Sequence, residues 1–553
     1  MKIGERKSSQ IRGQAITWAV VLIIIFSAGL LIGNQASTDI LDRLRTLPAR
    51  MSNAVTPPAD LPTLIVDMNF EAYNDLLDQR AGALEKGVYI PEATDFVTAT
   101  IQIDTTLVPV TMRFIAGPTD HLGDDSKWGF EVRTRRNQQL LGMQRCYLID
   151  PEANNWLDQW AFSRTLEREG ILTARYQFVR LVFNGTDRGI YGLQEGFANE
   201  LLTAQERPTG VIVEFDADPL WKSLANFRGD AEQAYADPVI NLSADDFQYF
   251  EVDTFRDAAI TRDPALSAQK DQAVGLLRAL QSGTLSAAEV FDVDLYGRYL
   301  ALADLWGAND AVSLVNLRYY YNPTTMHLEP IGFNANPLRT NGRIPLTATY
   351  HDPQIQAAYT REAQRVSQPA YLEALETALT AEWQRLAKVV SAEHEATPPW
   401  ERLSDRQAQL QRSLTPAQPV LAYLGSPTLS MSGTLRIEVA NVLNLPVEIL
   451  GFDIGGATFL DPDPAWLSEE SQELLMSSAN QIVLRAADTT QQQVVRYIRF
   501  DVPLTEIHRR DKELDFMQEM EIRVFTRIYG LTNEQRTLAK EGYPDILIVD
   551  QEP

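Results

Sequence analysis

Histidine and cysteine carry the widest chemical range, and their placement in this chain excludes the commonest sites. His121, His327, His351, His394 and His508 are scattered, and no two of them stand at zinc-ligand spacing. Cys146 is the single cysteine, so no intramolecular disulfide can form. With no histidine near it in sequence, it reads as a small buried hydrophobe. What remains is a set of charged and amide side chains far apart along the chain: Arg113, Lys127, Glu167, Glu169, Asp310, Asn316, Asn334 and Asn336. On spacing alone Lys127 reads as a solvated lysine on a strand, and Arg113 as half of a surface ion pair. Glu167 and Glu169 read as solvated ends of an exposed helix face.

The elements that must position these residues follow from period and punctuation. Residues 64–68 begin the folded part as a strand. Ile101, Ile103, Val108, Val110 and Met112 alternate with polar neighbours, which predicts paired strands between 97 and 132 around Arg113. A helix is expected over 155–169, with Trp156, Leu157, Trp160 and Ala161 on its apolar face and Gly170 as its stop. Strands at 176–183 and 189–193 are joined by Asn184-Gly185-Thr186-Asp187, and Asn-Gly tolerates positive φ at both positions, a hairpin signal. The stretch 259–306 is Ala/Leu-rich and helical in pattern. Strands at 317–321 and 328–333, turned by Asn322-Pro323, flank the late polar residues, and helices return over 369–414. After Pro416 short alternating segments at 434–439, 447–454, 494–500 and 522–528 predict a small β-sandwich.

At 553 residues the chain is too long for one ordinary core, and 45% hydrophobic with 22% charged residues is the balance of a folded protein. The formal net charge of −25 argues against a nucleic-acid surface, because phosphates would be repelled, and favours solubility. Residues 15–33 read AITWAVVLIIIFSAGLLIG without a charge. As a helix this run spans roughly 28 Å, close to the hydrocarbon thickness of a bilayer. It exceeds the apolar core of a cleaved signal peptide, so an uncleaved anchor is expected, with Trp18 near one interface. Lys2, Arg6, Lys7 and Arg12 precede it, against Arg43, Arg45 and Arg50 after it, which favours the N-terminus inside and the body outside the cell membrane. The expected order is a cytoplasmic N-terminus (1–14), a transmembrane helix (15–33), a stalk (34–62), a main domain (63–420) and a β-rich domain (421–553).

Three segments add a family resemblance. The first runs from Met112-Arg113 through Gly117 to Asp120-His121-Leu122-Gly123-Asp124-Asp125-Ser126-Lys127-Trp128-Gly129-Phe130. The second is Phe183-Asn184-Gly185 through Gly189-Ile190-Tyr191-Gly192-Leu193-Gln194-Glu195. The third is Asn316-Leu317-Arg318-Tyr319-Tyr320-Tyr321 with Glu329-Pro330-Ile331-Gly332-Phe333. In order and spacing they resemble the CotH (spore coat protein H) kinase-like family over about residues 63 to 420. The resemblance implies an α+β, protein-kinase-like two-lobed domain with ATP and Mg²⁺ or Mn²⁺ in its cleft. It implies Lys127 as phosphate contact, Arg113 as a second one, and Glu167 or Glu169 as partner of Lys127. It further implies Asp310 as the base that orients the acceptor hydroxyl, with Asn316 and Asn334 as metal ligands. Glu195 closes the hairpin signature.

One departure stands out. Where the family offers a metal-binding aspartate, this chain reads Gly332-Phe333-Asn334-Ala335-Asn336. Removing a unit charge about 4 Å from a cation forfeits about 4 kcal/mol at an effective dielectric near 20. Three functions therefore compete: a phosphotransferase acting on envelope or surface proteins, a catalytically degenerate binding or scaffold protein, and a cell-surface interaction protein that uses its C-terminal β domain.

Overall fold

A computed structural model of the chain describes residues 61–541, apart from 124–126, 137, 229–249, 340–343, 345–351, 426–432, 457, 477–480, 488–494, 504 and 507–520. The expected membrane span at 15–33 lies outside the described residues, as does the stalk up to residue 60. Among the described residues no helix is long and apolar enough to cross a membrane. The chain falls into two compact units, Pro62–Ala387 with Ala396–Pro553, and Met1–Leu61 with Lys388–Glu395. Everything that follows concerns the first.

Its first layer is a closed seven-stranded barrel of β1 (Thr63–Asp67), β3 (Val97–Ile103), β4 (Thr106–Phe114), β6 (Phe130–Thr134), β7 (Arg145–Ile149), β10 (Thr186–Glu195) and β9 (Tyr176–Phe183). Two short strands, β2 (Val88–Tyr89) and β5 (Gly117–Pro118), pair beside it. Alternation drives it: Val110, Met112, Phe130, Val132, Leu148 and Leu181 point inward and are fully buried or nearly so. Phe130 stacks on Phe114 and on Phe183 at 5.4 Å each. Each such ring contributes about 1.5–3 kcal/mol by leaving water. The hairpin turn has Asn184 at φ 45° and Gly185 at φ 76°, the two positive values that its sequence predicts.

The barrel overturns the protein-kinase-like two-lobed expectation. β1 pairs antiparallel with β3 and parallel with β9, so the sheet closes on itself and leaves no open edge. The physical reason is the parallel pairing of Leu64 and Val66 with Leu181 and Phe183, residues well over a hundred positions away. Alternation reveals which face of a strand is buried but not which strand lies beside it.

Beyond the barrel, a five-stranded sheet runs in the order β12 (Val252–Thr254), β11 (Ile212–Phe215), β13 (Arg318–Tyr321), β14 (Leu328–Gly332) and β8 (Leu172–Thr173). Helices Val293–Leu305 and Pro353–Val366 pack closely, because Gly297 has no side chain: a Cβ there would stand 2.5 Å from that of Ala358. The fold is thus α+β. At the C-terminus two sheets share one core. The first contains β15 (Val420–Leu424), β16 (Thr434–Asn441) and β20 (Ile498–Pro503); the second contains β17 (Val447–Ile454), β18 (Thr458–Leu460), β21 (Ile522–Ile528) and β22 (Glu534–Leu538). Phe452 and Phe500 meet across them at 5.0 Å.

Candidate functional site

The late polar residues gather at two short helical turns, Asn309–Val312 and Leu314–Asn316, which follow helix Val293–Leu305. The buried Tyr299 hydroxyl pins the first turn by donating to the Ala311 carbonyl at 2.7 Å. Asn316 is buried, and its amide donates to the Asp310 carbonyl at 3.0 Å, the Ser313 hydroxyl at 3.2 Å and the Asn334 carbonyl at 3.4 Å. Asn334 returns the contact, its amide donating to Asn316 Oδ1 at 3.3 Å. Asn336 donates to the Asp310 carboxylate at 3.2 Å. The loop reaches this shape with Asn334 at φ 45° and Asn336 at φ 47°, conformations that asparagine tolerates better than most residues.

The helix Leu157–Arg168 holds this loop from beneath. The buried Gln159 Oε1 accepts the backbone N–H groups of Ala335 and Asn336 at 3.1 and 3.2 Å. Asn155 donates to the Pro337 carbonyl at 2.9 Å. Asp158, next to Gln159, is clamped by Arg402 at 2.8 and 3.0 Å. Burial raises the Asp158 pKa above the usual carboxylate range, and the Arg402 hydrogen bond offsets part of that rise. Gln159 went unnoticed in the sequence because it sits inside an apolar helical pattern, where an amide carries no periodic signal.

The structure thus brings Asp310, Asn316, Asn334 and Asn336 together. Lys127 makes its described contacts elsewhere. Its Nζ donates to the Ile190 carbonyl at 3.0 Å, lies 3.6 Å from Asp150 and faces the rings of Trp156 and Tyr191 at 5.4 and 5.9 Å. Arg113 is held on the outer barrel wall by Glu131 at 2.8 Å, over the Phe96 ring. Glu167 pairs with Arg164 on the exposed side of its helix, and Glu169 with Arg365 at 2.6 Å. Glu195 is buried and bound by Arg175 at 2.5 Å, a tie between β10 and the residues that lead into β9. Cys146 lies in the barrel core, where burial pushes its thiol pKa far up.

These donors do not fit a metal–nucleotide complex. The cluster offers a single carboxylate, that of Asp310, and Asn316 Oδ1 is already engaged by Asn334. Asn336 Oδ1 is buried and accepts from nothing among the described residues, yet it brings no charge. Among the described residues no group of three His, Cys, Asp or Glu side chains could hold a metal ion. Divalent ions at phosphates are held by hard, preferably anionic oxygens, and here amides satisfy one another instead. No protein-family model matches the chain, and no curated protein matches it.

Proposed function

We propose that this chain is a catalytically silent, CotH-like binding protein that docks an envelope or surface protein. The observation that supports this reading is the mutual closure of Asn316 and Asn334, with Asn336 spanning to Asp310. A hydrogen-bonded network whose members answer each other rigidifies a loop, whereas a phosphotransfer centre keeps charged oxygens free for metal and phosphate. The uncharged run at 15–33 anchors the body to the cell membrane on its outer side. The chain's acidity keeps nucleic acid out of its partners.

Two experiments test this reading. Full-length protein in detergent is heated with ATP and Mg²⁺ or Mn²⁺, and incubated with labelled ATP and a surface-protein extract. No metal-dependent stabilisation and no phosphate incorporation are expected. Metal-dependent incorporation that Asp310→Asn abolishes would overturn it. Fractionation after alkaline extraction tests the anchor: the protein is expected in the pellet, and its release would contradict the tether.

A further inference from the structure

The outer barrel wall carries hydrogen-bond donors that the described chain leaves unanswered. Strand pairing sets Arg133 directly opposite Arg145, on the face away from the buried Val132 and Cys146. Like charges in that position destabilise a sheet. A third arginine, Arg256, is tied to this region through a short chain of contacts. Gly196 N–H donates to the Arg145 carbonyl at 2.8 Å, and its missing side chain allows the approach, since a Cβ there would lie 2.8 Å from that of Arg145. The next residue, Phe197, packs on Phe255 at 4.4 Å, and Arg256 follows directly, within electrostatic reach of Arg145.

Two nearby carboxylates, Glu131 and Glu214, are already engaged. Glu131 is shared between Arg113 at 2.8 Å and Arg133 at 2.6 Å. Glu214 is held by Arg318 at 2.6 Å and faces Asp253 across its strand pair. Among the described residues the Arg145 and Arg256 side chains have no ion pair and no hydrogen bond. The Tyr147 hydroxyl, within reach of both Arg145 and Arg318, also donates to nothing there. Burial and the neighbouring Arg133 charge push the Arg145 pKa below its usual range. A half-buried arginine without a counter-ion is costly, more so when its neighbours are cationic.

We propose that Arg145 and Arg256, with the Tyr147 hydroxyl, bind a phosphate-type oxyanion, supplied either free or as a phosphomonoester on a partner chain. Each guanidinium presents a planar fork that matches two oxygens. A tetrahedral dianion has acceptors for two forks and a hydroxyl, whereas a lone carboxylate is filled by one fork. This site is independent of the Asp310 cluster and extends the binding function.

Full-length protein in detergent and phosphate-free buffer of fixed ionic strength is titrated with inorganic phosphate, with a phosphoserine peptide and with its unphosphorylated twin. Arg145→Gln and Arg256→Gln serve as separate variants. Phosphate binding weakened at least tenfold in both variants supports the site with free phosphate as ligand. Binding of the phosphopeptide alone, weakened likewise, supports it with a modified partner as the source. No phosphate-dependent binding with either probe, or binding that both variants leave unchanged, overturns it.

Discussion

The asparagine cluster around Asp310 and the arginine cluster on the barrel wall are built in opposite ways. In the first, donors and acceptors largely consume one another: Asn316 and Asn334 exchange contacts, and Gln159 takes two backbone N–H groups. In the second, Arg145, Arg256 and Tyr147 are all donors, and no acceptor among the described residues meets them. The difference separates a structural role from a binding one. Polar groups that satisfy each other inside a protein fix its shape, whereas polar groups left unanswered are stable only with something from outside.

The comparison breaks most visibly at Asn316. Asn316→Ala leaves the Asn334 carbonyl and the Asn334 amide without their partners, while the Asp310 carbonyl keeps the Ser313 N–H and hydroxyl. The variant is expected to cost about 2–3 kcal/mol in denaturant unfolding. Loss of less than half a kcal/mol would remove the structural role of the cluster. Asn334→Asp is expected next, at about 1–2 kcal/mol destabilising, because a carboxylate would then face Asn316 Oδ1. A gain of ATP turnover in that variant would mean that a charge alone restores a metal site.

Arg145→Gln should act with the opposite sign. In phosphate-free buffer it is expected to raise stability by about 0.5–1 kcal/mol, read as an increase in melting temperature, since it removes a half-buried uncompensated charge. His121 offers a control outside both clusters. It is half-buried, its buried Nε2 has no partner among the described residues, and burial lowers its pKa below 6.5. The unfolded chain therefore takes up the proton first, so stability present above about pH 6.5 declines as the pH falls toward the lowered folded value. In a pH series of melting curves, His121→Gln is expected to flatten that decline, and an unchanged slope would assign it to other groups. The smallest effect is expected at Glu167, whose partner Arg164 is solvent-exposed: Glu167→Gln should stay within about 0.5 kcal/mol of the parent by the same melting assay.

Local features were readable in the sequence. The Asn184-Gly185 turn, the strand alternation from Val97 to Thr134 and the helix Leu157–Arg168 all follow from residue spacing, because their causes lie within one turn or one strand. Barrel closure was not readable, since it depends on the pairing of Leu64 and Val66 with Leu181 and Phe183. The cluster at Asp310 was legible in part. Asp310, Asn316 and Asn334 came from a family resemblance, but the exchange of amide hydrogen bonds that closes them depends on loop geometry. The electrostatic proximity of Arg256 to Arg145 left no trace at all, because it depends on the packing of Phe197, which follows Gly196, against Phe255, which precedes Arg256.

The most direct test of a silent Asp310 cluster is calorimetric titration of the full-length protein with ATP, with and without Mg²⁺ or Mn²⁺. Any heat observed is expected to be independent of the metal and to disappear in Arg145→Gln, since only the arginine cluster would contact the phosphates. Binding that requires the metal, survives Arg145→Gln and is lost in Asp310→Asn would contradict the account.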